Sequence, residues 1–287
     1  MSIQNYHFTI GDFEGIVVND GTFAYSHPAQ IIFANAPQAQ LEQVLAKHNL
    51  DLKTWEVYIS PYPSLFINTG QHRVLIDTGA GDLAPTTGKL RQNLKQAGLR
   101  PEDIDTVILT HGHLDHIGGA VDEQGRPAFP RARYVMWKTE WEFWRNDPDI
   151  SWLPIPDLFK QLILASVQKN LPPLQDQLEL IDQDVEIVPG IRAMAAPGHT
   201  PGHMAVAISS NGEQVWHLAD AVGHPIHLEQ PDWHLSFDMS PEATIATRYR
   251  LLQQAADEKV LALLTHFPAP GLGYIIPHGA RWQWQPR

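Results

Sequence analysis

Residues 109–119, LTHGHLDHIGG, crowd three histidines and one aspartate into six consecutive positions, followed by a glycine pair. His111 and His113 are two residues apart, so in an extended or loop backbone both imidazoles can project to one side and share a metal ion. Asp115 and His116 follow as the chain turns, and they can face a neighbouring position. The stretch therefore predicts ligands for two metal ions at once.

Several of the potential ligands directly follow predicted strands. The apolar run TVILT leads into His111, VWHLA leads into Asp220, and VLALLT leads into His266. Open α/β sheets bind ligands beyond the carboxyl ends of their strands. His199 lies in APGHTPGH, where two Pro-Gly breaks favour a tight loop after the predicted strand IRAMAA. Four separate segments are therefore expected to meet at one rim of the sheet.

The remaining pattern predicts one α/β domain over residues 1–287. The first third favours strands, with an Asn-Asp-Gly turn signal at residues 19–21 and a hairpin across Thr69 and Gly70. Helical spacing is predicted near residues 138–145, 157–170 and 241–257. Proline and tryptophan concentrate at about residues 122–177, which we interpret as an excursion from the domain rather than a linker.

Composition excludes several classes of partner and site. The formal net charge of −12 disfavours nucleic acid as a partner, and the sequence has no block of lysine and arginine. The chain begins without a signal-peptide pattern and contains no stretch of about 20 apolar residues, so we expect a cytoplasmic protein with no membrane partner. Cysteine is absent, so a metal must use nitrogen and oxygen ligands. Zinc suits such ligands, and iron or manganese would also be accommodated.

These residues carry a resemblance to a known family. The motif THGHLDH, with Asp77 in DTGAG and downstream His199, Asp220 and His266, resembles the signature of the metallo-β-lactamase superfamily in order and spacing. The stretches TTGKLRQNLKQAGLRPEDIDTVILTHGHLDHIGG, VPGIRAMAAPGHTPGH and HFPAPGLGYI are similar to the methyl parathion hydrolase branch, a relative of lactonases and arylesterases. The similarity covers roughly residues 10–285.

The resemblance implies a four-layer αβ/βα sandwich with two divalent metal ions, usually zinc, at one edge. The implied ligands are His111, His113 and His199 for one metal, Asp115, His116 and His266 for the other, and Asp220 as the bridge. It also implies that a bridging hydroxide is the nucleophile, and it makes Asp115 and Asp220 the predicted catalytic residues. Relatives are often homodimers, so a homodimer is the oligomer that the resemblance implies.

Further site residues are predicted around this set. Asp77 is interpreted as a support for the ligand loop rather than a simple turn residue, and His203 as a neighbour of the ligands rather than a ligand. The predicted substrate-pocket residues are Leu83, Trp144, Phe237 and His224. The other histidines near Asp220 are interpreted as surface residues, with substrate contact as the alternative: His217, His227 and His234.

The predicted activity is hydrolysis of a neutral small-molecule ester, either a lactone or an aryl carboxylic ester, with organophosphate triesters as promiscuous substrates. Acyl-homoserine lactonases carry a tyrosine three residues after the bridging aspartate, whereas this chain has Gly223 there. That departure favours aryl esters and general lactones, with His224 or His227 as substitutes for the missing phenol. The alternative function is that of an iron-dependent oxygenase or redox member of the same superfamily.

Overall fold

A computed structural model describes residues 5–287, and residues 6–181 supply the strands of one seven-stranded sheet. The strands are β1 (Tyr6–Ile10), β2 (Phe13–Ser26), β3 (Val57–Asn68), β4 (Arg73–Ile76), β5 (Thr106–Ile108), β6 (Arg133–Trp137) and β7 (Leu178–Ile181). They lie side by side in sequence order. The pairs from β1 to β4 are antiparallel, including the predicted β3–β4 hairpin, and the pairs from β4 to β7 are parallel.

Residues 185–286 supply the strands of another seven-stranded sheet. Its strands are β8 (Val185–Val188), β9 (Ile191–Ala195), β10 (Met204–Ser210), β11 (Glu213–His217), β12 (Leu261–Leu263), β13 (Leu272–His278) and β14 (Arg281–Pro286). The order in the sheet again follows the sequence, and only β11 and β12 are paired in parallel. The described residues contain no helix that is long and apolar enough to cross a membrane.

Eight α-helices flank the two sheets among residues 5–287. They are α1 (Pro28–Ile32), α2 (Gln38–Lys47), α3 (Leu90–Gln96), α4 (Leu114–Ile117), α5 (Lys138–Arg145), α6 (Asp157–Asn170), α7 (Ile226–Glu229) and α8 (Pro241–Glu258). The helices predicted near residues 138–145, 157–170 and 241–257 are confirmed as α5, α6 and α8.

The core is layered because successive strand residues point to opposite faces of a sheet. In β3, Leu65 and Ile67 face the second sheet, whereas Phe66 packs towards helices α3 to α6. In β10, Val206 faces the first sheet, whereas Ala205 packs towards α8. Helices thus cover the outer face of each sheet, which confirms the predicted four-layer αβ/βα sandwich.

Two local predictions are wrong. The Asn-Asp-Gly signal at residues 19–21 does not form a turn, because β2 continues through it with a shift in register between Asn19 and Thr22. The irregularity brings the buried Asp20 carboxylate to the loop after β4, where it accepts hydrogen bonds from the N–H groups of Ala80, Gly88 and Leu90 at 2.9 to 3.0 Å. A local turn signal is overridden here by non-local pairing.

The predicted excursion at about residues 122–177 also needs correction. Residues 133–137 form β6, which pairs in parallel with β5 and β7 inside the first sheet. The part that leaves the sheet is the crossover from α5 through α6 to the start of β7 at residue 178. The five-residue strand escaped prediction because a short buried strand carries no alternation and prolines precede it.

Candidate metal centre

Seven side chains that could hold metal ions lie in two adjacent groups. The first comprises His111, His113 and His199, and the second comprises Asp115, His116, Asp220 and His266. Within each group the potential ligand atoms lie within 4.8 Å of one another. We call these seven side chains the ligand rim. The structure therefore brings together every residue that the sequence predicts as a ligand.

The ligand rim lies where strands end. His111 follows β5, Asp220 follows β11 and His266 follows β12, so these potential ligands lie beyond the carboxyl ends of strands from both sheets. His113 directly precedes α4, which carries Asp115 and His116 in its single turn. The loop between β9 and β10 supplies His199.

Asp220 lies between the two groups. Its Oδ2 atom is 3.3 Å from His199 Nε2 and 3.0 Å from His266 Nε2, and its Oδ1 atom is 3.2 Å from His116 Nε2. Its two oxygens thus face imidazoles of both groups. This placement fits the bridging position that the resemblance implies.

Asp77 orients His116. Its Oδ2 atom lies 2.7 Å from His116 Nδ1, and its Oδ1 atom accepts a hydrogen bond from the backbone N–H of Thr110 at 2.8 Å. In the neutral form of the ring, in which Nδ1 donates to Asp77, the Nε2 lone pair of His116 faces the carboxylates of Asp115 and Asp220 at 3.6 and 3.2 Å. Asp77 thus contacts a ligand side chain and the ligand loop, as predicted for a supporting residue.

Asp238 orients His199 as Asp77 orients His116, and no sequence motif predicted this role for Asp238. Its Oδ1 atom lies 2.7 Å from His199 Nδ1, and its Oδ2 atom accepts a hydrogen bond from the Leu235 N–H. The buried guanidinium of Arg248 lies 3.9 Å from the same carboxylate and balances its charge. Asp238 and Arg248 are far from the motifs in sequence, so only the fold reveals them.

His266 is held by β3. Ser60 Oγ lies 3.0 Å from His266 Nδ1, and the Tyr58 hydroxyl donates to the His266 carbonyl oxygen at 2.6 Å. Its Nε2 atom is therefore left to face Asp220.

Glu140 on α5 joins two ligand loops. Its carboxylate accepts hydrogen bonds from the N–H of Gly112 at 2.7 Å and from the N–H of Gly202 at 2.8 Å. It also accepts from Thr200 Oγ1 and from Trp144 Nε1. Burial raises the pKa of Glu140, and these four donors oppose that rise. The loops that carry His111 to His113 and His199 are therefore fixed relative to one another.

The electrostatics of the two groups differ. Burial lowers the pKa of His111 and of His113 well below the usual value, so both imidazoles are neutral. Burial acts in the same direction on His116, but the carboxylates of Asp220, Asp115 and Asp77 outweigh it and hold its pKa well above the usual value. Burial would raise the pKa of Asp220, yet His266 and His116 hold it well below the usual value.

The donor set fits a pair of divalent cations. The Nε2 atoms of His111 and His116 and the Oδ1 atom of Asp220 are buried without a hydrogen-bond partner among the described residues. Unpaired buried polar atoms are costly unless another group satisfies them. Imidazole and carboxylate are ligands of zinc and of similar divalent metals, and such imidazoles usually donate their other N–H to a carboxylate, as His116 and His199 do here.

A cavity opens beside the ligand rim. His113, Asp115, His199, Asp220 and His266 contribute to its floor. The rest of its lining is mostly apolar, and we call six of these residues the cavity wall: Ile31, Ile32, Phe159, Ile163, Leu235 and Phe237. No lysine or arginine is among the described residues that line it. The cavity therefore favours an uncharged, largely apolar molecule.

Of the predicted pocket residues, only Phe237 lines this cavity. Leu83 packs against the core beneath the first sheet. Trp144 is buried behind the ligand loop, lying so close to Gly112 that a Cβ there would be 2.3 Å from Trp144 Nε1. His224 is buried against Tyr58 and Phe33, with ring centroids 5.1 and 5.3 Å away. The predictions for Leu83, Trp144 and His224 are therefore wrong, because all three side chains pack against other residues outside the cavity.

The remaining histidines near Asp220 are mostly buried, contrary to the surface interpretation. His203 accepts a hydrogen bond from the Asp220 N–H at 3.1 Å, and its ring lies 5.0 Å from that of His111, so it is a neighbour of the ligands as predicted. His217 and His227 are fully buried, and only His234 is partly exposed. Neither His224 nor His227 lines the cavity, so neither replaces a phenol at Gly223.

Known proteins match this chain in sequence. The family model described as the metallo-beta-lactamase superfamily matches residues 59–266. The N-acyl homoserine lactonase AiiA of Bacillus thuringiensis subsp. kurstaki is 27% identical over 174 residues, which are 60% of this chain and 60% of the relative.

Two solved structures resemble nearly the whole chain. AidC, described as a dizinc quorum-quenching lactonase in complex with a homoserine product, has a TM-score of 0.90 and 29% identity, covering 99% of this chain and 97% of its own. The hydrolase AbOPH of the beta lactamase superfamily has a TM-score of 0.88 and 26% identity, covering 100% and 98%. With its ligand rim, its layered sheets and these matches, the chain belongs to the metallo-beta-lactamase superfamily.

Proposed function

We propose that this protein is a dinuclear-metal hydrolase of uncharged esters, with lactones as its first substrates and aryl carboxylic esters as further ones. The observation that carries the proposal is the ligand rim itself, seven side chains in two groups that open onto an apolar cavity. The relatives AiiA and AidC are described as lactonases, which favours a lactone over an aryl ester as the first substrate to test.

The geometry supports a division of the seven side chains between two cations. His111, His113 and His199 would hold one cation, and Asp115, His116 and His266 would hold the other. Asp220 would contact both, since its oxygens face imidazoles of each group. Two bound divalent cations, with zinc expected from the dizinc relative, would lower the pKa of bound water towards neutral and so supply hydroxide at neutral pH.

The chain supplies positioning and selectivity. Asp77 and Asp238 hold the rings of His116 and His199 in one orientation, so that each presents a fixed nitrogen lone pair. The cavity wall excludes water and receives the apolar part of the substrate. A phosphotriester is also uncharged, so organophosphate hydrolysis is proposed as a promiscuous activity. The described residues of the lining include no lysine or arginine, which argues against an anionic substrate.

The test begins with metal content. Purified protein is expected to contain about two zinc ions per chain and to hydrolyse lactones without oxygen, since hydrolysis consumes none. Chelation should abolish turnover, and it should lower the melting temperature by roughly 5–10 °C because cations that bind only the folded state stabilise it. Zinc should restore both properties.

The assay panel separates the competing activities. Lactones, aryl carboxylic esters and phosphotriesters are compared by kcat/KM at equal metal content. A protein that retains iron and consumes oxygen would instead support the oxygenase alternative and contradict the proposal.

A further inference from the structure

The side-chain hydrogen-bond donors in the cavity are few. Besides the ligand rim, the donor groups among the described lining residues are the hydroxyls of Tyr25, Tyr58 and Ser60. The Tyr58 hydroxyl already donates to the His266 carbonyl oxygen at 2.6 Å, and Ser60 Oγ is engaged with His266 Nδ1 at 3.0 Å. Gly223 contributes no side chain. The hydroxyl of Tyr25 is therefore the side-chain donor left for a substrate.

Tyr25 is paired with a second phenol. Its hydroxyl oxygen lies 2.7 Å from that of Tyr62, which is 1% exposed and does not line the cavity. The pair has two hydroxyl protons, and the bond between the oxygens uses one of them. If Tyr25 donated, the Tyr62 proton would be buried without an acceptor, which is costly. When Tyr62 donates, the Tyr25 proton is free to point into the cavity.

The ring of Tyr25 is held rigidly. It packs against the rings of Phe23, Phe159 and Phe237, with centroids 5.0, 5.9 and 6.3 Å away. Tyr62 in turn packs against the ring of His266 at 5.6 Å. Burial, and then the charges of Asp115 and Asp220, raise the pKa of Tyr25, so the phenol lies within electrostatic reach of the ligand rim.

We propose that the Tyr25 hydroxyl donates a hydrogen bond to the carbonyl oxygen of the substrate and stabilises the negative charge that develops there, with Tyr62 as its positioning residue. The proton stays on the phenol throughout, so no covalent step is added. A fixed donor aimed at a developing oxyanion stabilises the transition state more than the ground state. This inference rests on the proposed function and deepens it.

The first test is Tyr25→Phe, which removes the hydroxyl and keeps the packed ring. Losing one oxyanion donor costs on the order of 10²–10³ in kcat in an enzyme where such donors act alone, and sharing the charge with cations reduces this to an expected 10- to 100-fold. The loss should fall on kcat, with KM for the lactone changed by less than about threefold. Zinc content should match that of the wild type, whereas the melting temperature should fall by a few degrees because the buried Tyr62 hydroxyl loses its acceptor.

Two further variants test the positioning role of Tyr62 and provide a control. Tyr62→Phe should lower kcat less than Tyr25→Phe does, because it only frees the orientation of the Tyr25 hydroxyl. Tyr249→Phe is the matched control, since its hydroxyl also forms a hydrogen-bonded pair, with Asp232, but lies away from the cavity lining. Its kcat should equal that of the wild type.

A spectroscopic measurement makes the test independent of turnover. The carbonyl stretch of a bound γ-lactam, which is not cleaved, should move to higher frequency in Tyr25→Phe than in the wild type as the hydrogen bond is lost. An unchanged stretch would overturn the inference, as would wild-type kcat in an active preparation. Loss of zinc from Tyr25→Phe would also overturn it by showing a purely structural role. A zinc-loaded wild type that hydrolyses none of the esters tested would instead contradict the proposed function, and this inference would fail with it.

Discussion

The ligand rim and the cavity wall share one cavity but are held by different forces. In the rim, directional hydrogen bonds fix the rings, as Asp77 does for His116, Asp238 for His199 and Ser60 for His266. In the wall, residues such as Ile163 and Phe237 are placed by non-directional packing of α6 and of the chain before α8. Directional contacts tolerate little change, whereas packing tolerates substitutions of similar volume. The rim should therefore govern the chemistry and the wall the choice of substrate.

The largest effect is expected when a side chain of the ligand rim is removed. Asp220→Ala and His113→Ala should strip or misplace metal and lower kcat by several orders of magnitude, since hydroxide at neutral pH depends on cations that lower the pKa of bound water. The fold should be retained, as judged by circular dichroism. His278→Ala, at an exposed histidine on β13, is the control and should keep both metal and activity. Wild-type turnover by Asp220→Ala would refute the assignment.

A smaller effect is expected when the supporting carboxylates are changed. Asp77→Asn and Asp238→Asn keep the side-chain shape but weaken the orientation of His116 and His199, and residues in this role typically contribute about 10- to 100-fold to metal affinity or activity. Zinc affinity measured by competition with a chelator, together with kcat, tests this expectation. Asp257→Asn, at an exposed site on α8, should change neither. If Asp77→Asn and Asp238→Asn bound zinc as tightly as the control Asp257→Asn, the ligand rim would not depend on the contacts of Asp77 and Asp238.

The smallest effect is expected at the cavity wall. Ile31→Ala should raise KM for lactones with an apolar side chain by about tenfold while leaving kcat for a small, unsubstituted lactone unchanged, because a hydrophobic pocket discriminates through contact area. Leu83→Ala, at a half-buried residue that packs against the core away from the cavity, should leave the ratio between the two lactones as it is. If Ile31→Ala lowered kcat equally for both, the wall would take part in the chemistry and the distinction from the rim would fail.

The sequence was most informative where the signal is local. The bounds of α5 and α6 follow from apolar spacing and from flanking prolines, and the convergence of the rim follows from strand ends and from motif spacing. It failed where distant residues decide the outcome. The turn signal at residues 19–21 lies inside β2, because pairing with β3 and the contacts of Asp20 outweigh the local preference.

The superfamily, the layered α/β architecture and the side chains that form the rim can be predicted from residue order alone, because motif spacing and the positions of strand ends are properties of the chain. The folded structure is needed to show that Asp238 and Glu140 fix the rim, that Tyr25 lines the cavity, and that Trp144 and His224 do not. Burial and partner choice depend on residues far apart in the chain, and no local pattern records which of them will meet.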